Sequence, residues 1–194
     1  MANTDRPQGL IPVRHLDGRP YTGATNFYLA DSSNAIYVGD PVKSGGSAGA
    51  AGVFVNGVNC EGMPTIDVAA TGNTLRGVCV GFLPLQSNLS LLHKEANSTK
   101  RIAIVVDDPN VVFEVQADGS TAAVDVGENA DITYTAGNAT SGISAVELNT
   151  ASHVATTAQL RILGFVSRPD NAIGANAKLH VLINEHEFKA TAGV

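Results

Sequence analysis

Two histidines near the end of the chain, His180 and His186, stand six residues apart, with Glu185 and Glu187 flanking the second. Imidazoles and carboxylates are metal ligands, and an even spacing places both rings on one face of a strand. An extended chain rises about 3.3 Å per residue, so the rings would be roughly 20 Å apart and share no ion unless the chain turns between them. Asp107 and Asp108 adjoin before Pro109. Neighbouring side chains diverge on a strand, so they form no acid/base pair, and carboxylates before a proline turn bond the local backbone. Cys60 follows Asn59 in a loop-like stretch and is expected near the surface, without a histidine alongside to activate it. The run SGGSAGAAG (residues 44–52) lacks the Lys-Ser/Thr of a phosphate loop and leads into a strand. It reads as a mobile surface loop. No catalytic, metal-binding or cofactor-binding residue is assigned, and the chain is not read as an enzyme.

The elements that would position such groups are short and apolar. The chain has 194 residues, 44% hydrophobic and 15% charged, with no Trp and a net charge of −6. That length suits one domain. No Lys or Arg occurs in residues 102–160, where eight acids sit, and such a face repels phosphate, which argues against direct nucleic-acid binding. No stretch is long enough to span a membrane. Cys60 and Cys79 make no disulfide framework, although a single bridge stays open; Cys79, inside GVCVGF (77–82), reads as a buried strand residue.

Strands are predicted over 26–30, 35–38, 41–42, 53–55, 65–70, 77–82, 101–106, 111–117, 145–148, 159–166 and 178–188. Asn56-Gly57 signals a hairpin after residues 53–55. Residues 111–115 are nearly continuously apolar, which implies burial on both faces. Leu179, Val181 and Ile183 alternate with His180 and Leu182, which implies one buried face. Residues 89–93 read as a helical turn or an extended crossing, and 125–132 as one helical turn. The fold class is mostly β: a small barrel or sandwich with one or two short helices.

Residues 1–26 stand apart. Pro7, Pro12 and Pro20 with Gly9, Gly18 and Gly23 break any regular period. Yet Leu10, Ile11, Val13, Leu16 and Tyr21 are too apolar for a solvated tail. This reads as an extended arm (1–26) on a single β-rich domain (27–194), lying on its own domain or on a neighbour. Arg6, Arg14 and Arg19 would then meet acidic neighbours, and Leu10, Ile11, Val13, Leu16 and Tyr21 would anchor the arm. Removing residues 1–21 is expected to leave the β domain folded and to abolish binding.

Six segments together carry a family resemblance: DRPQGLIPVRHLDG (5–18), VGDPV (38–42), GVCVGF (77–82), DDPNVVFEVQ (107–116), DVGENAD (125–131) and RPDNAIG (168–174). The chain resembles the cement or decoration proteins of tailed bacteriophage heads. The resemblance implies an all-β structural protein of the virion. It would be made in the host cytoplasm and bind the capsid exterior, bridging capsomers of the major capsid protein. It also implies association with copies of itself, as a trimer ahead of a dimer. A carbohydrate- or receptor-binding β module on a virion surface is the alternative.

Overall fold

A computed structural model describes residues 3–97, 100–154 and 156–189. In chain order the strands are β1 (Ile11–His15), β2 (Asn26–Ala30), β3 (Pro41–Ala48), β4 (Phe54–Val55), β5 (Val58–Asn59), β6 (Pro64–Val68) and β7 (Gly77–Phe82). Then come β8 (Arg101–Val106), β9 (Val111–Gln116), β10 (Asn129–Ala130), β11 (Ile132–Thr133), β12 (Glu147–Leu148), β13 (Leu160–Phe165) and β14 (Lys178–Ile183). Three single 3-10 turns, Ala123–Asp125, Thr150–Ser152 and Glu187–Lys189, are the helical content among the described residues. The mostly β class read from the strand pattern is the observed one.

Two β layers share a core. Strands β2, β6, β3, β7 and β8 close into a barrel, with β2 and β6 parallel and the other pairs antiparallel. The second layer is an antiparallel sheet of order β1-β9-β14-β13-β10. Its inner face presents Phe113, Val115, Leu160, Ile162, Leu179, Val181 and Ile183 to Ala69, Leu75, Val78 and Val106 of the barrel side. This shared cluster holds the layers together, because apolar area removed from water stabilises at about 25 cal/mol per Å². A separate cluster built on Tyr28, Ile36, Val42, Ile66, Cys79 and Val105 fills the barrel.

The period-2 reading of β14 holds, with Leu179, Val181 and Ile183 buried. The Asn56-Gly57 turn joins β4 to β5, and both residues have the positive φ (50° and 79°) that a two-residue hairpin turn requires. The glycine-rich stretch differs from expectation. β3 continues through it to Ala48, with a bulge between Ser44 and Ala48 against β6. A Cβ at Gly45 would lie 2.5 Å from Thr65 Oγ1, so this glycine permits close packing on β6. Residues 83–97 form turns with no helix, gathered around the Arg101 side chain described below. Both cysteines are free and buried, which corrects the surface placement of Cys60. Burial pushes the Cys79 thiol up to about 12. Among the described residues no helix is long and apolar enough to cross a membrane.

Candidate interaction surface

Ile11–His15, within the segment singled out in the sequence, forms β1, the edge strand of the five-stranded sheet. Ile11 pairs with Glu114, Pro12 with Phe113 and Arg14 with Val112, with a bulge between Pro12 and Arg14. Upstream, Leu10 N–H donates to Gly39 O (2.9 Å), which ties the segment to the barrel. Gly9 has φ +70°, and a Cβ there would strike Gly39 O and the Ser144 side chain. A glycine is needed where the two backbones meet this closely. Downstream, Tyr21 N–H bonds Val13 O (3.3 Å) and His15 N–H bonds Arg19 O (2.8 Å), so the chain doubles back along the outer side of β1. That return covers part of an edge that would otherwise invite pairing with another chain.

The eight residues named from the sequence have different fates. Leu10 is 1% exposed and belongs to the core. Tyr21 packs against that core, and its hydroxyl donates to Ala24 O (3.0 Å). Ile11, Val13 and Leu16 face outward and are 38%, 38% and 48% exposed. Arg6 is anchored through its backbone N–H to Gln116 Oε1 (3.0 Å) and lines a polar recess with Arg168 and Lys178. Arg19 pairs with its own neighbour Asp17 (2.7 Å). Arg14 lies on the outer face of the sheet, beside His180 of β14.

That outer face is cationic on an acidic protein. Arg14, Arg161 and Lys178 project from it around the His180 ring, with Arg168 at its margin. Glu114 is held by Arg168 (3.0 Å) and Lys178 (3.5 Å). Burial, followed by Arg14, holds the His180 imidazole below its ordinary pKa, against the pull of Glu114.

Around the corner from β1 lies an apolar groove of about 390 Å³, walled by Ile11, Pro12, Tyr21, Val38, Val80 and Ile143. Val38 and Ile143 also wall a second groove, of about 350 Å³, with Phe82, Pro84, Leu89 and Leu92. The two grooves adjoin at this shared wall and are together called the apolar trough. Leu89 and Leu92 stand open to solvent at its far end, 73% and 53% exposed. Reasoning from sequence missed Val38, Val80, Leu89, Leu92 and Ile143. The Leu89-Ser-Leu91-Leu92 run in a polar stretch was the available signal.

Two buried charges support the trough. Arg101, 2% exposed, donates to the carbonyls of Leu83 (2.9 Å), Leu91 (2.9 Å) and His93 (2.7 Å), and its guanidinium lies 4.9 Å from the Phe82 ring centre. It thereby gathers the 83–93 loop that carries the two exposed leucines. Asp40, with no solvent exposure, accepts from Tyr37 N–H (2.8 Å) behind Gly39, and burial raises its pKa to about 6.

The groups considered for chemistry are engaged elsewhere. Asp107 accepts from Asn26 (2.8 Å) and from the Tyr28 hydroxyl (2.5 Å), whereas Asp108 pairs with His15 (3.2 Å) and caps Asn110. His186 is buried beyond β14. Its Nδ1 accepts from Phe188 N–H (3.1 Å), and burial followed by Lys189 lowers its pKa to about 4. Glu187 takes the Ser44 N–H (2.7 Å) and hydroxyl (2.5 Å) and pairs with Arg76 (3.3 Å). Ligand atoms that could hold a metal converge at Asp125, Glu128 and His153, which the sequence reading did not bring together. Comparison with known protein families, with curated proteins and with solved structures finds no match to this chain.

Proposed function

We propose that this chain is a structural protein of a virion, a decoration protein that binds the outer surface of a tailed-phage capsid and bridges capsomers of the major capsid protein. The observation that carries the reading is the apolar trough running from Ile11 to Leu92 beside an edge strand, on a chain with few charges. Exposed apolar side chains gathered beside an edge strand supply surface that a neighbouring protein can cover. A shell protein makes modest contacts that are repeated many times, and multivalency turns these into firm attachment. The cationic outer sheet face adds an edge suited to acidic neighbours, whether capsid or further copies of the chain, as a trimer ahead of a dimer.

The test uses empty phage heads stripped of their decoration and the purified full chain. Saturating co-sedimentation at many copies per head, with heads that then resist heat, is the expected result. Replacing Ile11, Ile143 and Leu92 together by Asp should weaken attachment by at least about tenfold, as expected for centrally placed apolar contacts, with the fold retained by circular dichroism. Absence of head binding by the unaltered chain would overturn the proposal. One feature favours the glycan-binding alternative: Phe54, 61% exposed, borders a cleft with Asp31, Asn56 and Lys100. There, however, Lys100 is already paired with Asp31 (2.5 Å), and the Asn56 amide donates to Pro84 O (2.5 Å). A glycan array with Phe54→Ala as control separates the two readings.

A further inference from the structure

Away from the trough, three side chains from two chain segments converge. One ligand atom each from Asp125, Glu128 and His153 lies within 4.8 Å of the other two. Asp125 closes the 3-10 turn Ala123–Asp125, where its Oδ2 accepts from Ala122 N–H (2.7 Å). Glu128 follows Gly127, whose φ of +94° turns the chain into β10. His153 ends the Thr150–Ser152 turn. The two segments are locked by the reciprocal pair Asn129 N–H to Val154 O and Val154 N–H to Asn129 O, both 2.9 Å. Each bonded residue directly follows a member of the cluster, so Glu128 and His153 are held side by side by backbone.

Asp125 already accepts one backbone hydrogen bond, whereas Glu128 and His153 are little engaged. The Glu128 carboxylate takes no hydrogen bond or ion pair among the described residues, and the nearby Arg161, opposite Asn129 in the sheet, gives its Nε–H to Asn129 Oδ1 (3.0 Å). The His153 ring makes a single polar contact, Nδ1 to Asp125 Oδ2 at 3.4 Å, while its Nε2 is buried without a partner. The ring is thus turned with Nδ1 into the cluster. Two ligands about 2.1 Å from a tetrahedral Zn²⁺ stand roughly 3.4 Å apart, which is the spacing Asp125 and His153 already have. The Glu128 ligand atom lies within 4.8 Å of both.

We propose that Asp125, Glu128 and His153 form a binding site for a borderline divalent metal ion, best fitted by Zn²⁺, with solvent completing the coordination. One imidazole with two carboxylates suits zinc. Calcium takes six to eight oxygens, and magnesium an octahedron of oxygens at tight distances. The bound ion clamps the loop after the Thr150–Ser152 turn to β10 at the edge of the sheet.

The experiment is titration calorimetry of the metal-stripped full chain with ZnCl2, MnCl2 and CaCl2 in turn, alongside thermal unfolding with and without each salt. One Zn²⁺ per chain and a raised melting temperature are expected. Glu128→Gln and His153→Asn should each weaken Zn²⁺ binding at least about tenfold, a loss at the scale of damage to a metal site, while folding unchanged without metal. Absence of heat and of a thermal shift with zinc overturns the site. So does zinc binding that both variants leave intact, since the ion then sits on another histidine. Calcium bound as tightly as zinc overturns the assignment to a borderline metal.

Discussion

Asp40 and His186 are buried titrating groups with opposite senses, and their opposition gives a measurable signature. The Asp40 pKa rises from 3.8 to about 6, because burial outweighs the hydrogen bonds from Ser144 and Tyr37. Between those values the folded chain keeps a proton that the unfolded chain has released. Asp40 therefore adds stability in acid, and that stability is lost as the pH climbs through 6. The His186 pKa falls from 6.5 to about 4, so the unfolded chain binds a proton that the folded chain refuses. Its contribution is present above pH 6.5 and disappears as the pH falls toward 4. At 1.36 kcal/mol per pKa unit each group shifts stability by roughly 3 kcal/mol across its window. The slopes oppose each other, so between pH 4 and 6 the contributions of these two groups nearly cancel, and only their separation exposes either one.

Asp40→Asn keeps an oxygen for Tyr37 N–H, and His186→Asn keeps an acceptor for Phe188 N–H. Each isolates the other group. Urea unfolding followed by circular dichroism at half-unit steps from pH 4 to 7 supplies the curves, and subtracting the unaltered chain cancels every group left in place. Asp40→Asn should gain roughly 3 kcal/mol relative to the unaltered chain as pH rises across this range, and His186→Asn should lose about as much. Difference curves that stay flat with pH would refute the burial argument for both residues.

Leu10→Ala should cost about 2–5 kcal/mol in the same denaturation assay, whereas exposed Leu16→Ala should stay within about 0.5 kcal/mol; equal effects would contradict their placement. Gly9→Ala forces a methyl group onto Gly39 O and Ser144 at a positive φ. It should lower stability by about 1–3 kcal/mol, read as a shifted urea midpoint at unchanged slope. Glu187→Gln weakens the tie from the final 3-10 turn to Ser44 and Arg76. Faster limited proteolysis near the C-terminal end, with the urea midpoint little changed, is the expected outcome.

Much of the fold was legible because its strands carry local signals. β2, β7 and β8 coincide with their predicted spans, since Val-, Ile- and aromatic-rich runs between turn residues leave little ambiguity. The glycine-rich stretch misled because glycine marks both mobile loops and close backbone packing, and contact with Thr65 of β6 decides which. Residues 35–38 read as a strand but make isolated bridges from Ile36 to Lys94 and Val38 to Ile143, partners distant in the chain. The trough was illegible for the same reason. Val38, Val80, Leu92 and Ile143 come from four separate segments, and no spacing announces that they meet. Asp125 and Glu128 are three residues apart in the sequence, but His153 joins them through the isolated Asn129–Val154 bridge, which sequence alone does not reveal.

The leading segment shows how these limits bear on experiment. Read as one sticky arm, its apolar residues share a single role. In the folded chain they divide by depth and face: Leu10 lies in the core under the trough, Ile11 walls the trough in the open, and the bulge after Pro12 rotates Val13 and Arg14 to the outer side. Deleting residues 1–21 would therefore strip a core side chain and the whole of β1 along with the outward anchors. Lost head binding would follow from unfolding as readily as from a lost contact. Single substitutions separate the roles because Leu10 is the buried floor beneath the groove (1% exposed) and Ile11 its exposed wall (38%). Ile11→Asp should weaken attachment while leaving the urea midpoint close to that of the unaltered chain, and Leu10→Ala should shift the midpoint while heads still bind the folded fraction. If both substitutions moved both readouts together, the division of the segment into a buried floor and an exposed docking wall would be wrong.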